Sequence, residues 1–231
     1  MLLDMFIVDS HFMREELTGN GFPSEKIHVV PHIVRLPECT PEPVPQEPNI
    51  LYVGQLIRGK GVDLLLRALS AVKCEFKARI VGTGNARPKL EALAQQLHLS
   101  EKVSFEGWVA HDQLDSYYSW AKVVAVPSRW AEPYGMVGLE AMNHARATVG
   151  FRVGGIPDWL VDGENGILVD PQDTKAYARA LEKILLDTDL AVKMGAAARV
   201  RVLREFSFDS YLDEVEGLLG QCLSQLHGYT P

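Results

Sequence analysis

Ile50-Leu51-Tyr52-Val53-Gly54-Gln55-Leu56-Ile57-Arg58-Gly59-Lys60-Gly61-Val62-Asp63-Leu64-Leu65-Leu66-Arg67-Ala68-Leu69 is the stretch on which the fold turns. Residues 50–53 are apolar without alternation, the pattern of a strand buried on both faces of a parallel sheet. A turn holding Gly54, Gly59 and Gly61 follows. Then Val62, Leu65, Leu66 and Leu69 recur at i, i+3, i+4 and i+7 and make one apolar stripe on a helix. Strand, glycine-bearing turn and amphipathic helix together form one βα unit.

Downstream the unit repeats. Strands are expected at 78–81, 103–105, 123–126, 148–150 and 167–169, and after Asp170 helices are expected near 174–186, 191–204 and 209–226. Upstream, 5–8 and 27–30 read as short strands around a helix that Ser10 caps, that carries Phe12, Glu16 and Leu17, and that stops at Gly19 and Gly21. Between them and the main unit, five of the twelve residues 37–48 are proline, which opposes helix and ladder pairing alike and marks a linker. The expected fold class is therefore α/β: a Rossmann-like parallel sheet over 49–205 with helices on both faces, then a C-terminal helical extension over 206–231.

Composition narrows the function. The 231 residues are 47% hydrophobic and 23% charged, enough for a substantial core and unlike a disordered or fibrous chain. The 23 Lys+Arg against 30 Asp+Glu give a formal charge of -7, and no basic run offsets it, so a nucleic acid is not an expected partner. Three cysteines, Cys39, Cys74 and Cys222, show no pairing pattern and point to a reducing, cytoplasmic setting. Residues 1–8 are apolar but interrupted by Asp4, and no run of 18 apolar residues occurs, so contact with a membrane is peripheral at most.

In open parallel sheets ligands gather beyond the carboxyl ends of the strands. After the first strand, Gly54, Gln55, Arg58, Lys60 and Gly61 make either a phosphate cradle with added positive charge or a flexible turn with solvated cations. After the second, Gly82-Thr83-Gly84-Asn85-Ala86-Arg87 resembles a dinucleotide fingerprint, with Glu106 about 20 residues on. Arg87 fills the third glycine position, which favours a tight βα turn. Trp108 and Val109 follow the third strand, and a half-buried core role is favoured for the indole over a wall for a nucleobase. The richest segment is 127–140. Glu132 sits before a helix whose first amides, at Gly135, Met136 and Val137, are free for an anionic group, and Glu140 lies one to two turns in. Carboxylates only accept, so both acids suit sugar hydroxyls; equally, they are a favourable acid at a helix start and a surface acid.

Glu132 and Glu140, with seven residues between them in EPYGMVGLE, followed by GFRVGGIPDWLVDGENGILV (150–169), resemble the donor-binding signature of family 4 retaining glycosyltransferases of the two-Rossmann-domain, GT-B type. ILYVGQLIRGKGVDLLLRAL (50–69), ARIVGTGNARPKLEALA (78–94), VSFEGWV (103–109) and the helical tail with Phe206-Ser207-Phe208 fall in the family's order, and 5–32 is similar to the end of its first domain. The resemblance implies that 1–36 is a remnant of that domain with its crossing, and that the chain is the donor-binding half of an enzyme moving a hexose-type sugar from a nucleotide diphosphate sugar to a glycan, lipid or small-molecule acceptor. It implies catalytic roles for Lys60, at the donor diphosphate, and Glu132, near the donor sugar. Glu140 would bind the ribose, Trp108 and Val109 would border the base, and Gly54, Gln55, Arg58, Gly82, Tyr134, Gly135, Met136 and Val137 would complete the donor site. No cofactor and no metal are implied, and the site would lie in the cytoplasm, at most peripheral to the inner face of the membrane.

Three departures from the family pattern stand out. Gln55 occupies a position where the family commonly has arginine, and Arg58 is expected to stand in for it. Ala145-Arg146-Ala147 replaces Gly-x-Pro, and Ile33 replaces the glycine of the crossing. Since little of a first domain is present, the chain alone is expected to bind donor without transferring sugar, and to leave Phe206, Phe208 and Leu212 partly uncovered. Two other functions compete: a nucleotide-sugar-binding module without turnover, and an oxidoreductase resting on Gly82, Gly84 and Glu106. A metal site is not expected, because Asp187-Thr188-Asp189 reads as a helix end and the next cap, and His28 and His32 lie in an extended segment around Pro31.

Overall fold

A computed structural model describes residues 4–33 and 41–227 of the chain. Its main sheet has six parallel strands, β3 (Asn49–Val53), β4 (Lys77–Val81), β5 (Val103–Gly107), β6 (Val123–Val126), β7 (Ala147–Phe151) and β8 (Gly166–Val169), in the order β5-β4-β3-β6-β7-β8. Before it, β1 (Phe6–Val8) and β2 (Ile27–Val29) form a separate parallel pair around α1 (His11–Gly19), which Ser10 caps by accepting from the Met13 amide at 3.2 Å. The expected α/β class with a parallel sheet and helices on both faces is what the chain adopts.

Strand periodicity places the core. In β3, Ile50 and Tyr52 join one apolar layer while Leu51 joins the other; in β6, Val123 and Ala125 face one way and Val124 and Val126 the opposite way. On the first side lie α2 (Val62–Leu69), α3 (Arg87–Gln96) and α7 (Thr174–Leu186), where Leu65, Leu66, Leu69, Leu181 and Ile184 are buried. On the second lie α4 (Leu114–Trp120), α5 (Met136–Asn143), α6 (Ile156–Trp159) and α8 (Thr188–Glu205), contributing Tyr118, Leu139, Met142, Trp159, Ala198 and Val202. A last helix, α9 (Phe208–His227), follows α8.

Asp187 accepts from the Leu190 amide at 2.9 Å as the N-cap of α8, so the acidic triplet serves helix geometry. Phe206 is a correction: it is 2% exposed, edge-on to Tyr134, whereas Phe208 and Leu212 do remain exposed. Phe206 is buried because its ring joins the apolar layer that holds Tyr134, Trp159 and Val202.

Of the proline-rich stretch, 37–40 lie outside the described residues, as does Cys39. Residues 41–48 carry neither helix nor strand, yet they are strapped to the sheet domain. Arg146, wholly buried, donates to the carbonyls of Glu42 (2.9 Å) and Pro43 (3.3 Å), as well as to those of Tyr118, Ser119 and His144. Lys122, also buried, donates to the Gln46 and Leu185 carbonyls and to Thr188 Oγ1. Proline removes backbone donors but leaves every carbonyl available, which is why two buried cations hold this segment.

Candidate active site

The strand order changes direction between β3 and β6, and the loops after these two strands face each other across the opening. The β3 loop ends in a single 3₁₀ turn, Arg58–Lys60, and in Gly61, whose φ of 68° starts α2. Gly61 has no room for a side chain: a Cβ there would lie 1.9 Å from the Pro127 carbonyl oxygen. Gly59 accepts from the Arg129 amide at 2.9 Å with the Trp130 ring packed over it. The two loops are thus stacked backbone on backbone, and that stacking carries Lys60 to Glu132.

Lys60 Nζ lies 2.5 Å from Glu132 Oε1, while Glu132 Oε2 accepts from Ser128 Oγ at 2.9 Å and Trp130 Nε1 at 3.3 Å. Glu132 is 8% exposed, so burial of the carboxylate is offset by one ammonium and two neutral donors. Burial, with the Glu132 charge adding to it, pushes the nearby Tyr52 phenol well above its ordinary pKa, and that phenol donates to the Gln55 carbonyl at 2.9 Å, pinning the loop. Beyond Glu132, Gly135 at φ 96° opens α5. The Met136 and Val137 amides point from the helix start with no hydrogen-bond partner among the described residues, a place suited to an anion.

These groups border one cleft of about 320 Å³ that takes in Lys60, Glu132, Tyr134, Gly135, Met136 and Val137 together with Asp9 and His32 from the N-terminal unit. Asp9 and His32 are paired at 3.1 Å, and the His32 ring stands edge-on to Tyr134. Tyr134 is buried, and that burial holds its phenol far above the ordinary value.

Other residues read from the sequence lie elsewhere. Arg58 lines an outer groove with Asp63, Asn85, Lys89 and Arg129, because a 3₁₀ turn places residues two apart on different sides. Gln55 is exposed, and Gly54 and Gly82 pack against each other, a Cβ on Gly82 falling 1.9 Å from the Gly54 carbonyl oxygen. Trp108 corrects the half-buried core role favoured for it: it is 75% exposed at the end of β5, with Val109 packed beneath on the same apolar layer as Tyr118. Glu140, on α5, accepts from the Tyr118 phenol. From the sequence, His32 enters only as a rejected metal ligand, and Ser128, Trp130, Tyr118 and Asp9 carry no assigned role. Ser128 and Trp130 precede Glu132 by four and two residues, and that closeness was a usable signal.

A family model described as "Glycosyl transferases group 1" matches residues 41–201. The chain belongs to the group 1 glycosyltransferases. Within this family it is 34% identical over 210 residues to a D-inositol 3-phosphate glycosyltransferase of Xylanimonas cellulosilytica, a match covering 82% of the chain and 50% of the relative. Sucrose-phosphate synthase from Thermosynechococcus elongatus superposes with a TM-score of 0.82 at 31% identity, over 95% of this chain and 58% of that one. Anabaena HepE, solved with UDP and glucose, shares the fold with a TM-score of 0.87 at 20% identity, over 94% of this chain and 63% of its own. The chain therefore spans about half the length of the curated relative it matches, and the matched region is the unit that holds the Lys60–Glu132 cleft.

Proposed function

We propose that this chain is the donor-binding half of a retaining glycosyltransferase that transfers a hexose-type sugar from a nucleotide diphosphate sugar. The observation that carries the assignment is the meeting of Lys60, Glu132 and the unpaired α5 amides in one cleft at the switch point of the sheet. The ammonium and the helix start stabilise negative charge that builds on the diphosphate as the sugar departs. In the mechanism usual for this family, the departing phosphate oxygen helps to take the acceptor proton. Glu132 stands beside the sugar, where a carboxylate accepts hydroxyls. Glu140, further along α5, is assigned to the ribose, and Val109 and Trp108 to the border of the base. HepE was solved with UDP and glucose, which supports a donor of the same kind here.

Donor binding is expected to need no metal, since Lys60 and backbone amides supply the positive field and the Asp187-Thr188-Asp189 triplet is used in capping α8. An oxidoreductase is disfavoured: the Gly82 amide already donates to Gly107 O at 2.7 Å and the Ala86 amide to Leu56 O at 2.9 Å, so that turn holds protein where a pyrophosphate would sit. No helix among the described residues is long and apolar enough to cross a membrane. A cytoplasmic site, peripheral to a membrane at most, is proposed from the unpatterned cysteines of the sequence.

Among the described residues, only Asp9 and His32 face the cleft from the N-terminal side. Transfer depends on holding an acceptor hydroxyl against the sugar carbon with water excluded, worth as much as about 7–11 kcal/mol. This chain alone is accordingly expected to bind donor and turn over little. Donor consumption should be assayed with candidate acceptors on this chain and on a version joined to a complete first domain. Turnover only in the longer form supports the assignment, comparable turnover by both places the acceptor site within these residues, and none in either favours a binding module without turnover.

A further inference from the structure

Tyr118 belongs to no loop motif, yet it meets Glu140 across 22 residues of sequence. Its phenol is 1% exposed and donates to Glu140 Oε2 at 2.5 Å. Burial first, and the Glu140 carboxylate second, keep the phenol protonated far above its ordinary range, so it acts as a donor throughout the working pH range. The ring is clamped on its far side by His144, stacked at 4.7 Å between centroids and 20° between planes. His144 is itself held, its Nδ1 2.8 Å from the Glu140 carbonyl oxygen and its Nε2 3.0 Å from Asp115 Oδ1. Arg146 fixes the backbone beneath, donating through Nε to the Tyr118 carbonyl at 2.8 Å.

One oxygen of Glu140 is thereby held while Oε1 has no hydrogen-bond partner among the described residues, and the side chain is only partly buried. A glutamate left to rotate would lose side-chain entropy on gripping two neighbouring hydroxyls; one already fixed by a rigid donor has lost it beforehand. We propose that Tyr118 is a positioning residue for the donor nucleotide, holding Glu140 in the orientation that accepts the ribose hydroxyls and so making the site prefer ribonucleotides to 2′-deoxyribonucleotides. The role rests on the assignment of Glu140 to the ribose given above. A purely structural Tyr118 would affect stability and leave that preference unchanged.

The test is calorimetric titration of the chain with UDP and GDP and with their 2′-deoxy counterparts. It is run on the natural sequence and on Tyr118→Phe, Glu140→Gln and the double variant, with melting temperature followed separately. Phe keeps the ring and its stacking on His144. Tyr118→Phe should weaken the preferred ribonucleotide about tenfold and the deoxy form less than about threefold, the size expected when one rotamer-rich side chain must be immobilised on binding. The double variant should bind no worse than Glu140→Gln alone, since both substitutions act through the one Glu140 side chain. Equal weakening of ribo and deoxy forms by Tyr118→Phe, or none, would overturn the role of Tyr118 while Glu140→Gln still abolishes the preference. A preference that survives Glu140→Gln would overturn the ribose assignment itself, and Tyr118's role with it. If Tyr118→Phe does not fold, Glu140→Asp, one methylene short of the phenol, serves instead: a retained ribose preference there contradicts the proposal.

Discussion

The loops after β3 and β4 are neighbours of similar composition, each following a buried parallel strand with two or more glycines and opening onto a helix, but only one of them faces the cleft. The β4 loop is a shelf: the Leu56 amide donates to Thr83 O at 2.8 Å and the Gly54 amide to Val81 O at 3.0 Å, so the first loop rests on the second. The β3 loop then leans on Pro127–Trp130 and throws Lys60 forward to Glu132. Glycine serves the same purpose in both, allowing one backbone to touch another. Whether a ligand can enter is decided by which loop lies on top and by the charge it carries.

That contrast can be broken by substitution, and the largest effect is expected at Gly61. Alanine there meets both a left-handed φ and the Pro127 carbonyl, so urea denaturation should show a loss of roughly 3–5 kcal/mol. A loss under about 1 kcal/mol would mean that loop stacking does not fix Lys60. A smaller and more selective effect is expected at Glu132. Gln removes the charge beside the sugar but releases Lys60, so a sugar conjugate should bind about tenfold more weakly while the bare diphosphate changes by less than about twofold. Equal weakening of both would move Glu132 from the sugar to the phosphates. The smallest effect is expected in the other loop: Arg87, which pairs with Glu91 at 2.8 Å and reaches the Phe105 carbonyl at 3.2 Å, should cost stability of roughly 0.5–1 kcal/mol as alanine and leave nucleotide affinity unchanged. A marked fall in NAD or nucleotide binding by Arg87→Ala would return the second loop to the ligand site.

Much of this architecture was legible in the sequence because period and packing coincide. The unbroken run Ile50 to Val53 and the Val62, Leu65, Leu66, Leu69 stripe each have one physical solution, a strand covered on both faces and a helix laid on it. Glu132 and Glu140 were legible as acids at a helix mouth. What was not legible depends on long-range contact. Nothing near Tyr118 announces that it will reach Glu140, and nothing in 82–87 announces that Gly54 and Leu56 will occupy the turn. Trp108 was expected partly buried on the usual behaviour of indoles, and the strand ends before the chain turns it inward. The prolines at 41, 43, 45 and 48 marked an irregular segment correctly, but its anchoring by Arg146 and Lys122 is a property of carbonyls, which composition does not show.

The central claim is that Lys60 meets the donor diphosphate at the β3–β6 opening, and it is tested most directly by calorimetry on the natural chain and on Lys60→Ala with a nucleoside, its diphosphate and the diphosphate with chelator. A point charge with no reach to the base should matter only when phosphates are present. The expected result is a loss of roughly 1.5–3 kcal/mol for the diphosphate, little change for the nucleoside, and no effect of chelator on either protein. Equal losses for nucleoside and diphosphate, or an affinity that collapses with chelator, would contradict it.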